Sequence, residues 1–168
     1  MNYGAVVFDL DGTLLDTLPD IQAAANAVLS AHSFPVHDIQ SFQTFIGDGV
    51  AMLFHRALPA EARSVEQIDR CCEEFMKTYR QNWNVHTKPY DGIPNLLDVV
   101  CKSLRLAVLS NKPHQFTVRC VDHYLSDWSF EVVFGQRPDV PPKPDPAGAL
   151  EIATLLNRAP QEIVYLGD

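Results

Sequence analysis

Four short apolar runs punctuate the chain: GAVVF at 4–8, RLAVLS at 105–110, FEVVF at 130–134 and EIVYL at 162–166. Each is too short and too rich in β-branched and aromatic residues to be a stable helix. Continuous rather than alternating apolarity marks strands buried on both faces, the pattern of a parallel sheet. Helical spacing fills the intervals at 93–104, 113–125 and 145–157. Strands alternating with helices predict an α/β fold, a parallel sheet with right-handed crossovers and helices on its faces.

One interval is too long for a single crossover helix. From Thr17 onward the pattern is helical, with Pro19 and Asp20 suited to a first turn and Ile21, Ala24, Ala25, Val28 and Leu29 on one face. Further helices are expected over 38–46, which Gly47 is placed to end, and over 49–58. A longer one begins at Ser64, where Ser64 and Gln67 are spaced as a capping box. Residues 16–86 therefore read as an inserted helical subdomain, and 1–15 plus 87–168 as the sheet domain.

At 168 residues the chain is long enough to bury a core without disulfides or a structural metal. An apolar fraction of 46% and a charged fraction of 20% exclude a disordered chain, a collagen and a coiled-coil rod. The net charge of −8 argues against generic nucleic-acid or anionic-membrane binding, which needs basic clusters. It does not exclude a small anionic substrate, because a local site can be positive in a negative protein. Cys71, Cys72, Cys101 and Cys120 lack C-x-x-C spacing and read as small buried hydrophobes of a reducing compartment. The N-terminus resembles no signal peptide, and no run reaches the ~20 apolar residues of a membrane span. A cytoplasmic location is expected. The six histidines show no ligand spacing, so none is assigned to metal.

Four loops carry the chemistry. FDLDGT, at 8–13, places Asp9 at the carboxyl end of the first strand, where open α/β sheets bind ligands. Asp11 follows two residues on and reaches the same pocket if the chain turns at Gly12. One such carboxylate suits a nucleophile or metal ligand and the other a proton-transfer group. Magnesium takes one or two carboxylates, waters and phosphate oxygens. LSNKP, at 109–113, offers Ser110 and Asn111 as short donors at the end of another strand. PPKPDP, at 141–146, holds Lys143 between prolines that stiffen its loop. YLGD, at 165–168, brings Asp168 to the end of a further strand. If that strand neighbours the first, Asp9 and Asp168 would share one cation. Each loop alone is also compatible with an ordinary turn or a solvent-facing residue. Together they set acid, hydroxyl, lysine and acid on one sheet edge, as phosphoryl transfer requires.

In this order and spacing the chain resembles the haloacid dehalogenase superfamily over its whole length. FDLDGT is similar to the family's first motif, LSN to its second, Lys143 to its third and Gly167-Asp168 to the start of its fourth. LLDTLPDI, IGDGVAMLFHRAL and YDGIPNLL are similar to stretches of its phosphoglycolate phosphatases. The resemblance implies a Rossmann-like core, with 16–86 as an α-helical cap hinged near 15–17 and 86–90. It implies that Asp9 attacks phosphorus to form an aspartyl-phosphate. Asp11 would protonate the leaving alcohol and then activate water. Lys143 would neutralise the transferring charge, with Thr13, Ser110 and Asn111 completing the phosphate site. Asp9, the Asp11 carbonyl and Asp168 would hold Mg2+.

The implied reaction is magnesium-dependent hydrolysis of a phosphomonoester, 2-phosphoglycolate first, by a monomer or homodimer. Pyrophosphate or a sugar phosphate is the alternative substrate. An aspartate at position 11 favours phosphatase over dehalogenase chemistry, because expelling an alkoxide needs a proton donor. The family continues past its fourth motif with a further acidic residue, and this chain stops at Asp168. A truncated chain is therefore expected, with an exposed final strand; a fragment that only binds phosphate or a partner is the competing reading. Gly47 and Gly49 would either let backbone approach a small anion or simply end helices. His55 and Arg56 are expected at the surface.

Overall fold

A computed structural model describes residues 3–167. In chain order the elements are β1 (Ala5–Phe8), β2 (Leu15–Asp16), α1 (Leu18–Ala31), α2 (Ile39–Phe45), α3 (Val50–Ala57), α4 (Val65–Asn82), β3 (Lys88–Pro89), α5 (Ile93–Val100), β4 (Arg105–Pro113), α6 (His114–Tyr124), β5 (Phe130–Gln136), α7 (Ala147–Leu155) and β6 (Ile163–Leu166). The chain divides into two compact units, one of Met1–Asp16 with Pro89–Asp168 and one of Thr17–Lys88.

The first unit is the α/β part. Its sheet has the order β5-β4-β1-β6, and every pairing is parallel. Ala5, Val6, Val7 and Phe8 are each no more than 2% exposed, as a central strand covered on both faces requires. Ala5, Val7, Ala107, Leu109 and Val132 form one face of the core and pack with Ile152 and Leu156. The larger of these, Val7, Leu109, Val132, Ile152 and Leu156, each contribute roughly 1.5–3 kcal/mol on burial. From β1 the chain reaches β4 and β5 on one side, then returns to β6 on the other. Order reversals of this kind open a crevice at the strands' carboxyl ends, and β1 ends there at Asp9. β5 also packs tightly there: a Cβ on Gly135 would lie 2.5 Å from the Lys112 carbonyl oxygen and 2.6 Å from His114 Cα.

Three expectations need correction. β4 does not stop at Ser110 but runs to Pro113: β5 pairs Phe134 with Leu109 and Gln136 with Pro113, and the register shifts between the two pairs. α5 ends at Val100 rather than at 104 and gives way to turns. Cys101, just beyond it, is exposed and Cys72 is half-buried, so only Cys71 and Cys120 behave as core residues.

The second unit is helical. α1 packs on α4, and α3 packs on both α2 and α4. Phe42, Leu53, Phe54, Phe75 and Tyr79 are buried in its core. Phe75 stacks on Tyr79 at 5.2 Å and meets Phe54 edge-on at 5.9 Å. The capping box at α4 is half formed: Ser64 Oγ accepts from the Gln67 N–H at 3.2 Å, but the Gln67 amide reaches Cys71 Sγ instead. Asp20, 1% exposed, ties the start of the unit to its end. Its carboxylate accepts from the N–H groups of His86 and Thr87 and from the Thr87 hydroxyl at 2.7–3.0 Å. His55 is exposed, while Arg56 is half-buried, paired with Asp48 and donating to the Phe45 carbonyl. Gly47 and Gly49 both take positive φ, with Gly49 as the N-cap of α3. Among the described residues no helix is long and apolar enough to cross a membrane.

Candidate active site

Asp9 continues the ladder of β1, donating its N–H to the Leu166 carbonyl of β6 at 2.8 Å. The chain then turns at Gly12, whose φ of +79° suits a residue without a Cβ. The Leu10 carbonyl accepts from the N–H groups of Leu14 and Leu15, both at 3.0 Å, which locks the turn. Leu10, Leu14 and Leu15 are fully buried beneath it. The turn expected at Gly12 thus sets Asp9 and Asp11 on either side of a buried leucine.

Each carboxylate meets its own lysine. Lys143 Nζ lies 2.6 Å from Asp9 Oδ2 and donates to the Tyr165 hydroxyl at 2.8 Å. Asp9 Oδ1 accepts from the Leu10 N–H at 2.7 Å. Lys112 Nζ lies 3.0 Å from Asp11 Oδ1. Burial pushes the Asp9 carboxyl above its ordinary value; Lys143 and the Leu10 N–H oppose the shift without cancelling it, and Asp11 adds to it.

The residues of the strand segment Ser110–Lys112 are all at least nine-tenths buried, and Ser110 and Asn111 line one pocket with Lys143. Ser110 Oγ accepts from the Lys112 N–H at 3.2 Å, a bond that does not use its own proton. Asn111 grips the neighbouring loop by two bonds: its amide donates to the Lys143 carbonyl at 3.1 Å, and its oxygen accepts from the Lys143 N–H at 2.8 Å. The prolines around Lys143 are therefore not alone in fixing its loop. Thr13 Oγ1 is buried and makes no hydrogen bond within the protein, and an unsatisfied buried hydroxyl is costly unless a ligand or water completes it.

The structure therefore brings Asp9 and Lys143 together and sets the Asn111 amide on the Lys143 backbone. Asp168 lies outside the described residues. Gly167 does reach the site: a Cβ there would lie 3.5 Å from Asp9 Cβ. Two groups escaped the sequence reading. Lys112 lies where the β4–β5 register shifts between Leu109 and Pro113, so regular strand alternation does not place it. Tyr165 gave no polar signal because it sits in an apolar run.

A magnesium ion suits the oxygen donors Asp9 and Asp11. It prefers one or two protein carboxylates with waters and phosphate oxygens to an all-protein cage. Among the described residues no three His, Cys, Asp or Glu side chains are grouped for a metal.

The chain belongs to the haloacid dehalogenase-like hydrolases, whose family model matches residues 6–168. Phosphatases are among the proteins it is similar to. It is 32% identical over 169 residues to the phosphoglycolate phosphatase of Thiobacillus denitrificans, covering 98% of this chain and 74% of that protein. It is equally 32% identical to the N-acetylmuramic acid 6-phosphate phosphatase of Pseudomonas aeruginosa, covering 100% of this chain and 74% of the relative. A crystal structure from Lactobacillus delbrueckii subsp. bulgaricus, provisionally assigned as a phosphoglycolate phosphatase, superposes with a TM-score of 0.93 at 28% identity. That match covers 100% of this chain and 79% of the other.

Proposed function

We propose that the chain is a magnesium-dependent phosphomonoester hydrolase working through an aspartyl-phosphate, with 2-phosphoglycolate as its substrate. The observation that carries this reading is the pair of aspartates on one turn, each matched to a separate lysine. An Asp9 oxygen attacks phosphorus while the bond from phosphorus to the ester oxygen breaks. Its electron pair passes to the leaving oxygen, which takes a proton from Asp11. Water then attacks the same phosphorus, giving its proton to Asp11, and the bond to Asp9 breaks to release phosphate.

Lys143 neutralises charge on the equatorial oxygens, and Ser110 and Thr13 supply hydroxyls to them. Asn111 acts by holding the Lys143 loop. Asp9, the Asp11 carbonyl and Asp168 would hold magnesium, which supplies further charge neutralisation when bound. The helical unit serves as the cap that excludes water from the first step. The enzyme acts in the cytoplasm on a small phosphorylated substrate, as a monomer or homodimer.

The test is phosphate release from 2-phosphoglycolate by this chain, with and without magnesium, beside Asp9→Asn. Magnesium-dependent release that is lost in the variant is expected. Turnover retained by Asp9→Asn would sink the assignment of the nucleophile. N-acetylmuramic acid 6-phosphate belongs on the same panel, because a relative named for it is as similar as the phosphoglycolate phosphatase.

A further inference from the structure

We infer that Lys112 is a positioning residue for proton transfer: its ammonium holds Asp11 by Oδ1 and leaves Oδ2 to carry the proton that passes to the leaving oxygen. The inference rests on the reading of Asp11 as the proton donor and adds a residue to it.

The two lysines of the site have different surroundings. The Lys143 side chain is 19% exposed, whereas that of Lys112 is only 4% exposed. An ammonium buried so deeply is costly unless a counter-charge meets it, and Asp11 Oδ1 does so at 3.0 Å. The base of the Lys112 side chain is fixed as well. Its N–H donates to Ser110 Oγ at 3.2 Å, and its carbonyl accepts from Thr117 Oγ1 at 3.1 Å. Gly135 packs directly over that carbonyl.

Asp11 starts from the opposite condition. It lies in a turn, beside a glycine with positive φ, and its side chain is 19% exposed. A rigidly based ammonium narrows the rotamers open to the Asp11 side chain by fixing a contact at Oδ1. Proton transfer needs heavy atoms within about 2.6–3.2 Å, so a lost rotamer preference reaches the rate directly. Because Lys143 already faces Asp9, Lys112 is not a second copy of the charge-neutralising lysine.

The test compares two leaving groups. An alkyl ester such as 2-phosphoglycolate must have its leaving oxygen protonated, whereas p-nitrophenyl phosphate releases a phenolate that needs no proton. The quantity measured is kcat/KM, which reports on events up to departure of the leaving group. Lys112→Met and Lys112→Gln are expected to lose about 10- to 100-fold on 2-phosphoglycolate and less than about threefold on p-nitrophenyl phosphate. Asp11→Asn is expected to show the same contrast, and the double variant Asp11→Asn/Lys112→Met to be no worse than Asp11→Asn alone.

Equal losses on both substrates would overturn the inference in favour of a merely structural role. Multiplicative losses in the double variant would overturn it too. If Asp11→Asn itself shows no contrast, the underlying reading of Asp11 falls, an outcome distinct from failure of Lys112 alone. A readout independent of turnover is the crystal structure of Lys112→Gln. A displaced Asp11 carboxylate is expected there, and an unmoved one contradicts the proposal.

Discussion

Asp9 bears conflicting demands. Burial disfavours its charged form, yet attack on phosphorus requires that form. A carboxyl whose pKa is raised on folding binds its proton more tightly in the folded state. Its contribution therefore favours the fold at acid pH and is lost as pH rises through the raised value. At neutral pH and without magnesium, Asp9→Asn is accordingly expected to melt at or above the wild-type temperature. Added magnesium should raise the melting temperature of the wild type, by mass action on the folded state, but not that of Asp9→Asn. Differential scanning fluorimetry at several magnesium concentrations checks both statements. A variant that melts several degrees lower, or responds equally to magnesium, would contradict them.

Asn111 acts at one remove. Removing its amide leaves the N–H and carbonyl of Lys143 without those two partners. Asn111→Ala is expected to cost about 1–2 kcal/mol of stability and to lower kcat/KM about tenfold or more, by loosening the Lys143 loop. Thermal melts and kinetics on the same sample separate the two effects. Unchanged kinetics would make Asn111 structural only.

At the scale of elements, local pattern succeeds where the local environment decides. GAVVF is legible as a buried parallel strand because every one of its side chains is covered. α4 is legible because Cys71, Phe75 and Tyr79 recur on one face and Ser64 caps its start. The end of β4 was not legible. Ser, Asn, Lys and Pro are poor strand formers, and the ladder with β5 shifts register across them before it resumes at Pro113 opposite Gln136. With that extension went Lys112, a residue whose importance depends on a carboxylate about a hundred positions earlier in the chain.

Asp20 is a similar case. In sequence it is a dipole-suited residue in the first turn of α1, whereas in the structure it is the buried acceptor for the far end of its own unit. Asp20→Ala leaves the N–H groups of His86 and Thr87 and the Thr87 hydroxyl without that acceptor. The variant is expected to lose about 2–4 kcal/mol of stability. Hydrogen exchange should show faster amide exchange at residues 86 and 87 than across β1. Wild-type protection at 86 and 87 would refute this account of the clamp.

For the molecule as a whole, the sequence speaks more clearly about chemistry than about substrate. A parallel sheet sets Asp9, Asp11, Ser110 and Lys143 in order at strand ends, so a shared site was expected from sequence; the structure brings Lys143 to Asp9 and Lys112 to Asp11. Substrate choice depends on side chains outside those motifs. Two relatives named for different phosphate esters show the same 32% identity to this chain, so identity does not choose between them. The chain also spans only about three quarters of those relatives, 74% of each. Both facts leave the chemistry at Asp9 as the central claim. Its most direct test is to quench the enzyme with acid during turnover of 2-phosphoglycolate, reduce with borohydride and map the peptides by mass spectrometry. An aspartyl-phosphate at Asp9 would be reduced to homoserine at position 9, the result predicted here. Turnover with no modified residue at position 9, or with the modification on another acid, would contradict it.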